Sequence, residues 1–151
     1  MALIDDIDIL AQVPLFAGME TDQLRLIAFG ADHRTVAAGQ VLFREHAPAE
    51  CAYVVIRGAF ELAVTGRSGQ SVVETEVGPG VMLSELALIT MVERKFTAVA
   101  TQDSEVIRIT RSLFHRLLEE YPSMARHVEG RIKDTLAALV EGSNALSGRF
   151  Q

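Results

Sequence analysis

Of 151 residues only one is a cysteine, Cys51, and none is a tryptophan. A single cysteine excludes a disulfide framework, a zinc knuckle and a cysteine-ligated iron–sulfur cluster. Lysine occurs twice, at Lys95 and Lys133, and there is no basic run. Lys+Arg total 14 against 20 Asp+Glu, a net charge of −6. That balance argues against direct nucleic-acid binding, which needs a basic face to neutralise phosphates. No apolar run approaches the ~20 residues of a membrane-spanning helix. Asp5, Asp6 and Asp8 stand where a secretory leader needs positive charge. His33, His46, His115 and His127 are scattered and lack the His-x-His spacing of a metal-binding jelly roll, so no metal site is expected. No Ser-His-Asp, Cys-His or paired-carboxylate arrangement is readable, so the chain is not expected to be an enzyme. Hydrophobic residues at 49% and charged residues at 23% exclude disorder and leave an ordinary soluble domain, expected in the cytoplasm.

The hydrophobic pattern runs helix, strands, helix. Leu3, Ile4, Ile7 and Leu10 share one face, with the three aspartates elsewhere, which predicts a short amphipathic helix over 3–11 ended by Pro14. A second helix starts at Glu20 or Thr21, carries Leu24, Leu26, Ile27 and Phe29, and closes near Gly30. From residue 33 the period shortens. Apolar runs at 35–36, 41–43, 53–56, 60–64, 72–77, 96–100 and 106–109 are separated by glycines, which predicts a β sandwich, barrel or jelly roll. Tyr53 to Leu62 reads as a tight hairpin turning at Gly58. Thr110 or Ser112 caps a third helix through Leu118, and Pro122 opens a last one over about 123–141, stopped by Gly142. Its apolar stripe is Met124, Val128, Ile132, Leu136, Leu139 and Val140, with Gly130 marking a close approach or a kink. The whole chain, 1–151, reads as one domain with a core over 12–141 and a tail over 142–151.

One segment interrupts the strands. Ser84-Glu-Leu-Ala-Leu-Ile-Thr90 is rich in helix formers and Ser84 is a good N-cap. A helix starting there leaves the N–H groups of Leu86 and Ala87 unpaired, an anion site to which Arg94 can return from the following strand. A guanidinium over such a turn suits a phosphate, through charge-assisted bonds worth ~1.5–3 kcal/mol. Glu85 has two readings. Its carboxylate either accepts from a hydroxyl beside the phosphate, as in a nucleotide, or pairs with Arg94 and holds an empty turn together.

Leu83-Ser84-Glu85-Leu86-Ala87-Leu88, with Arg94 after a short spacer, resembles the phosphate-binding cassette of cyclic nucleotide-binding domains, the family of the catabolite activator protein and the protein kinase A regulatory subunits. Glu45 to Gly58 is similar to that family's upstream Glu-Gly-Asp-x-Gly-Asp-x-x-Tyr-Val-Ile-x-x-Gly. The resemblance covers about residues 12–141. It implies a mainly β fold, an eight-stranded jelly roll with N-terminal helices, an inserted phosphate-binding helix and two C-terminal helices. It implies that Glu85 binds the ribose 2′-hydroxyl, that Arg94 and the N–H groups of Leu86 and Ala87 hold the cyclic phosphate, and that Ser84 and Lys95 flank it. The ligand is then cyclic AMP, favoured over cyclic GMP, with no separate cofactor.

Four departures bear on that implication. Ser84 stands where the family has glycine; Lys95 and Phe96 replace small residues; His46-Ala47 replaces Gly-Asp. Two outcomes stay open. The chain is a stand-alone nucleotide sensor that signals to a protein partner through helix movement, or a degenerate fold that no longer binds nucleotide and serves in dimerisation and protein interaction. About ten residues follow the last predicted helix, so no helix-turn-helix output module and no direct DNA contact are expected. The last helix is expected to form a homodimer.

Overall fold

A computed structural model describes the backbone over residues 3–141 and the side chains over 6–131. The chain opens with α1 (Leu3–Leu10), a 3-10 turn (Pro14–Phe16) and α2 (Thr21–Gly30). Ile7 and Leu10 are buried as the pattern predicts. Asp6 departs from it: this aspartate is buried, and its Oδ2 lies 2.7 Å from His33 Nε2. A capping box starts α2, where Glu20 and Gln23 exchange side-chain and backbone bonds.

Among the described residues ten strands follow, all in antiparallel pairs. They are β1 (Asp32–Val36), β2 (Val41–Phe43), β3 (Pro48–Ala49), β4 (Cys51–Arg57), β5 (Phe60–Thr65), β6 (Ser71–Val77), β7 (Met82–Leu83), β8 (Val92–Glu93), β9 (Thr97–Ala100) and β10 (Ser104–Thr110). One sheet has the order β1-β10-β4-β7, the other β2-β9-β5-β6. These two four-stranded sheets are the expected eight-stranded jelly roll. β3 and β8 add a small ribbon that pairs Pro48 with Glu93 and Ala49 with Val92.

The predicted hairpin between Tyr53 and Leu62 does not form. β4 pairs with β10 and β7, whereas β5 pairs with β9 and β6. Gly58 is the corner where the chain leaves one sheet for the other. Its φ is +91°, and a Cβ there would lie 2.1 Å from Ser104 Oγ. The glycine signal was a real demand for positive φ, but a corner makes that demand as a hairpin does.

Alternation along β4 explains the two cores. Cys51, Tyr53 and Val55 face the other sheet and meet Phe60, Leu62, Leu83, Phe96 and Val106. Ala52, Val54 and Ile56 face outward, where Ile107 and Ile109 of β10 join them against Leu10, Phe16, Ile27, Phe114 and Met124. Among the described residues, the helices therefore pack on the β1-β10-β4-β7 sheet.

Two helices close the described chain, α3 (Arg111–Glu120) and α4 (Pro122–Glu141). Thr110 caps α3 through a 3.1 Å bond from Leu113 N–H to its Oγ1. Met124 and Val128 are buried against the helical core. The other stripe positions, Ile132, Leu136, Leu139 and Val140, and the tail 142–151 lie outside the described side chains. A Cβ at Gly130 would meet nothing within 4 Å among the described residues, so none of them makes the close approach expected of that glycine. No helix among the described residues is long and apolar enough to cross a membrane.

Candidate functional site

The segment 84–95 leaves β7, makes one turn and returns through β8 to β9. The turn is a four-residue 3-10 helix, Glu85–Leu88, rather than an α-helix. Ser84 precedes it at φ 64°, ψ 47°, a left-handed conformation that favours glycine, and its side chain makes no capping bond. The 3-10 geometry changes the expected cradle. The Ala87 N–H donates to Ser84 O at 2.9 Å and is therefore taken, while the Leu86 N–H makes no hydrogen bond among the described residues.

Glu85 is half-buried, and burial pushes its carboxyl above the usual range. Among the described residues no hydrogen-bond donor or cation pairs with it. The internal Glu85–Arg94 ion pair is thus not made.

Arg94 points inward. It is 5% exposed, and Nη1 donates to Cys51 O at 2.9 Å, with Nη2 3.4 Å from Cys51 Sγ. Its guanidinium carbon lies 4.5 Å from the Phe43 ring centroid and 5.3 Å from that of Tyr53. The two rings are themselves stacked, 5.8 Å apart at 20°. Burial, and then the neighbouring Cys51 thiol, pushes the Tyr53 phenol up. The backbone around Arg94 is pinned as well: Arg94 N–H donates to Ala47 O, and His46 N–H to Arg94 O, both at 2.8 Å. His46 holds φ 72° in that upstream turn, at the place where the resembled pattern has glycine.

Lys95 is exposed and lines an open groove with His46, Val92 and Glu93. Phe96 does not face that groove. It is buried between the sheets with Val36, Tyr53 and Leu83. Ser84, Glu85, Leu86, Ala87, Arg94 and Lys95 therefore lie on one continuous loop, with Arg94 drawn under it and Lys95 outside it.

Arg111 was not singled out from the sequence. As the first residue of α3 it sends Nη1 to within 3.1 Å of Ala49 O, 3.1 Å of Ala87 O and 3.0 Å of Thr90 O. Its own N–H donates to Glu50 O. No sequence signal marks an arginine whose acceptors are backbone carbonyls from remote segments.

The family model for the cyclic nucleotide-binding domain matches residues 33–121. Among curated proteins, lysophospholipase NTE1 of Chaetomium globosum is 30% identical over 122 residues, covering 81% of this chain and 8% of that protein. The chain thus spans about a twelfth of the length of the curated relatives it matches. Among solved structures, a cyclic nucleotide-binding-like protein from Brucella abortus is 48% identical, with a TM-score of 0.70, covering 76% of this chain and 98% of the other. The N-terminal domain of a transcriptional regulator from Streptomyces coelicolor is 26% identical, with a TM-score of 0.83, covering 86% and 93%.

Proposed function

The chain belongs to the cyclic nucleotide-binding domain family, and from that premise we propose that it is a regulatory sensor that binds cyclic AMP through the loop 84–95. The observation that carries this reading is the state of Glu85. Burial raises its pKa, yet no donor among the described residues compensates it. An ionised carboxylate can only accept hydrogen bonds, and a ribose 2′-hydroxyl supplies the missing donor. Arg94 supplies the opposite charge. A cyclic phosphate replaces Cys51 O as the acceptor of its guanidinium, with the Leu86 N–H beside it. Ser84 shapes the turn through its left-handed backbone, and Lys95 adds a cation at the rim. The Ala87 N–H joins only if it leaves Ser84 O.

No catalysis is assigned to the domain. The match covers only 8% of the lysophospholipases it resembles, and their activity belongs to those proteins. The output is a contact with a protein partner, in the cytoplasm, with a homodimer formed through α4.

A second reading has its own observation. Arg94 is buried and already satisfied by Cys51 and two rings, as in a fold whose pocket has closed on itself and serves for protein interaction.

Isothermal titration calorimetry with cyclic AMP and cyclic GMP decides between the two. The sensor reading expects micromolar or tighter binding of cyclic AMP, weakened at least tenfold in Arg94→Ala. Absence of heat with both nucleotides, from folded protein free of co-purified ligand, leaves the interaction module.

A further inference from the structure

We propose that Arg111 is a positioning residue that makes the loop 84–90 and helix α3 one mechanical unit. The inference deepens the sensor reading and rests on it for its use, but not for its test.

The turn after Ser84 ends with carbonyl groups that a single 3-10 turn cannot pair. Ala87 O and Thr90 O are two of them, and both accept from Arg111 Nη1. A cation at that end also suits the polarity of the turn. Among the described residues these are the only hydrogen bonds that tie 84–90 to another element; the remaining bonds of the segment, from Ala87, Ile89 and Thr90, are internal to it. The rest of its attachment is packing, chiefly Ala87 and Leu88, and Leu88 sits in the same cluster as Leu113 and Phe114 of α3. Arg111 in turn is fastened to the β3–β4 junction through Ala49 O and Glu50 O.

The position matters for the site. Ala87 O is two residues past Glu85, and Thr90 O is four residues before Arg94. One guanidinium therefore sets the turn that aims Glu85 and the segment that returns to Arg94. The bonds are 3.0–3.1 Å long, and a hydrogen bond is lost by about 3.6 Å. A shift of the turn by half an ångström or more along them must carry α3 with it or break them. Packing alone imposes no such rule, because side chains slide where hydrogen bonds do not.

Hydrogen exchange resolved by residue tests this. In the unliganded wild type, Ile89 and Thr90 should open in the same sub-global event as Leu113–Leu117, with matching denaturant dependence. In Arg111→Met, which keeps an apolar stem and removes the donors, both groups should exchange at least tenfold faster, with β5 and β6 unchanged. With cyclic AMP added, wild type should change protection in 84–90 and in α3 together, while Arg111→Met should change only in 84–90. Separate opening of the two segments in the wild type overturns the proposal, and needs no variant to fold. So does acceleration confined to one segment in Arg111→Met, or a nucleotide response of α3 that survives it. Failure of both nucleotides to bind overturns the sensor reading alone, since the unliganded comparison still decides the coupling.

Discussion

The Arg94 guanidinium donates to the carbonyl of Cys51 at 2.9 Å, inside the jelly roll and beneath the loop that carries it. The contact satisfies a buried carbonyl, so the unliganded protein should depend on it for part of its stability.

Arg94→Met leaves Cys51 O buried without its donor, at a cost of about 1–3 kcal/mol, and removes the contact with two aromatic rings, about 0.5–2 kcal/mol more. Urea unfolding should show a loss of roughly 2–4 kcal/mol. A loss near zero would mean that the arginine spends its time outside the jelly roll.

Glu85→Gln should stabilise the unliganded protein in a pH-dependent way. The folded-state pKa of Glu85 lies above its ordinary value of 4.5 because burial penalises the charged form. The folded state therefore holds the proton more tightly, and this group's contribution to stability is present at low pH and lost as pH rises through the folded pKa. Glutamine carries no such charge. Its melting temperature should exceed that of the wild type at pH 7.5, and the gap should close near pH 4. Cyclic AMP should stabilise the wild type more than the variant at pH 7.5.

Ser84→Gly releases the left-handed backbone at φ 64°. The strain is about 1–2 kcal/mol, and the extra backbone entropy of glycine offsets about 0.5–1 of it. Melting should rise by roughly 1–4 °C. Ser84→Ala keeps the strain and should show no rise.

Gly58→Ala should be as damaging as Arg94→Met. The added Cβ meets Ser104 Oγ at 2.1 Å and Ser104 Cα at 2.7 Å, on a residue at φ +91°. Overpacking and strain together should cost about 2–4 kcal/mol by chemical denaturation. Ser104→Ala in the same chain should not restore stability, because the backbone contact remains.

The order of elements was legible residue by residue. Thr110 and Pro122 marked the helix starts through local bonding and fixed φ, and the glycine-bounded apolar runs marked the long strands. Three strands, β3, β7 and β8, were missed because two residues carry no period. β1 was read late, since His33 and Arg34 interrupt the apolar run at a solvent-exposed edge. In the candidate site the sequence supplied the loop, the carboxylate and the arginine. It did not show that Ala87 N–H is consumed by the turn, that Glu85 and Arg94 do not pair, or that Arg111 holds the loop from α3.

What the sequence by itself determined is local: where helices start, where backbone must take positive φ at Gly58, and which residue types lie together on the loop 84–95. Those follow from bonds and torsions between residues a few positions apart. Only the tertiary structure decided that Gly58 turns a corner between sheets, that Arg94 faces Cys51, and that Ala49, Ala87 and Thr90 share one guanidinium. Each of those depends on a carbonyl or a strand edge contributed from far along the chain. Backbone groups are the same at every residue, so their partners are chosen by packing and leave no mark in the side-chain pattern.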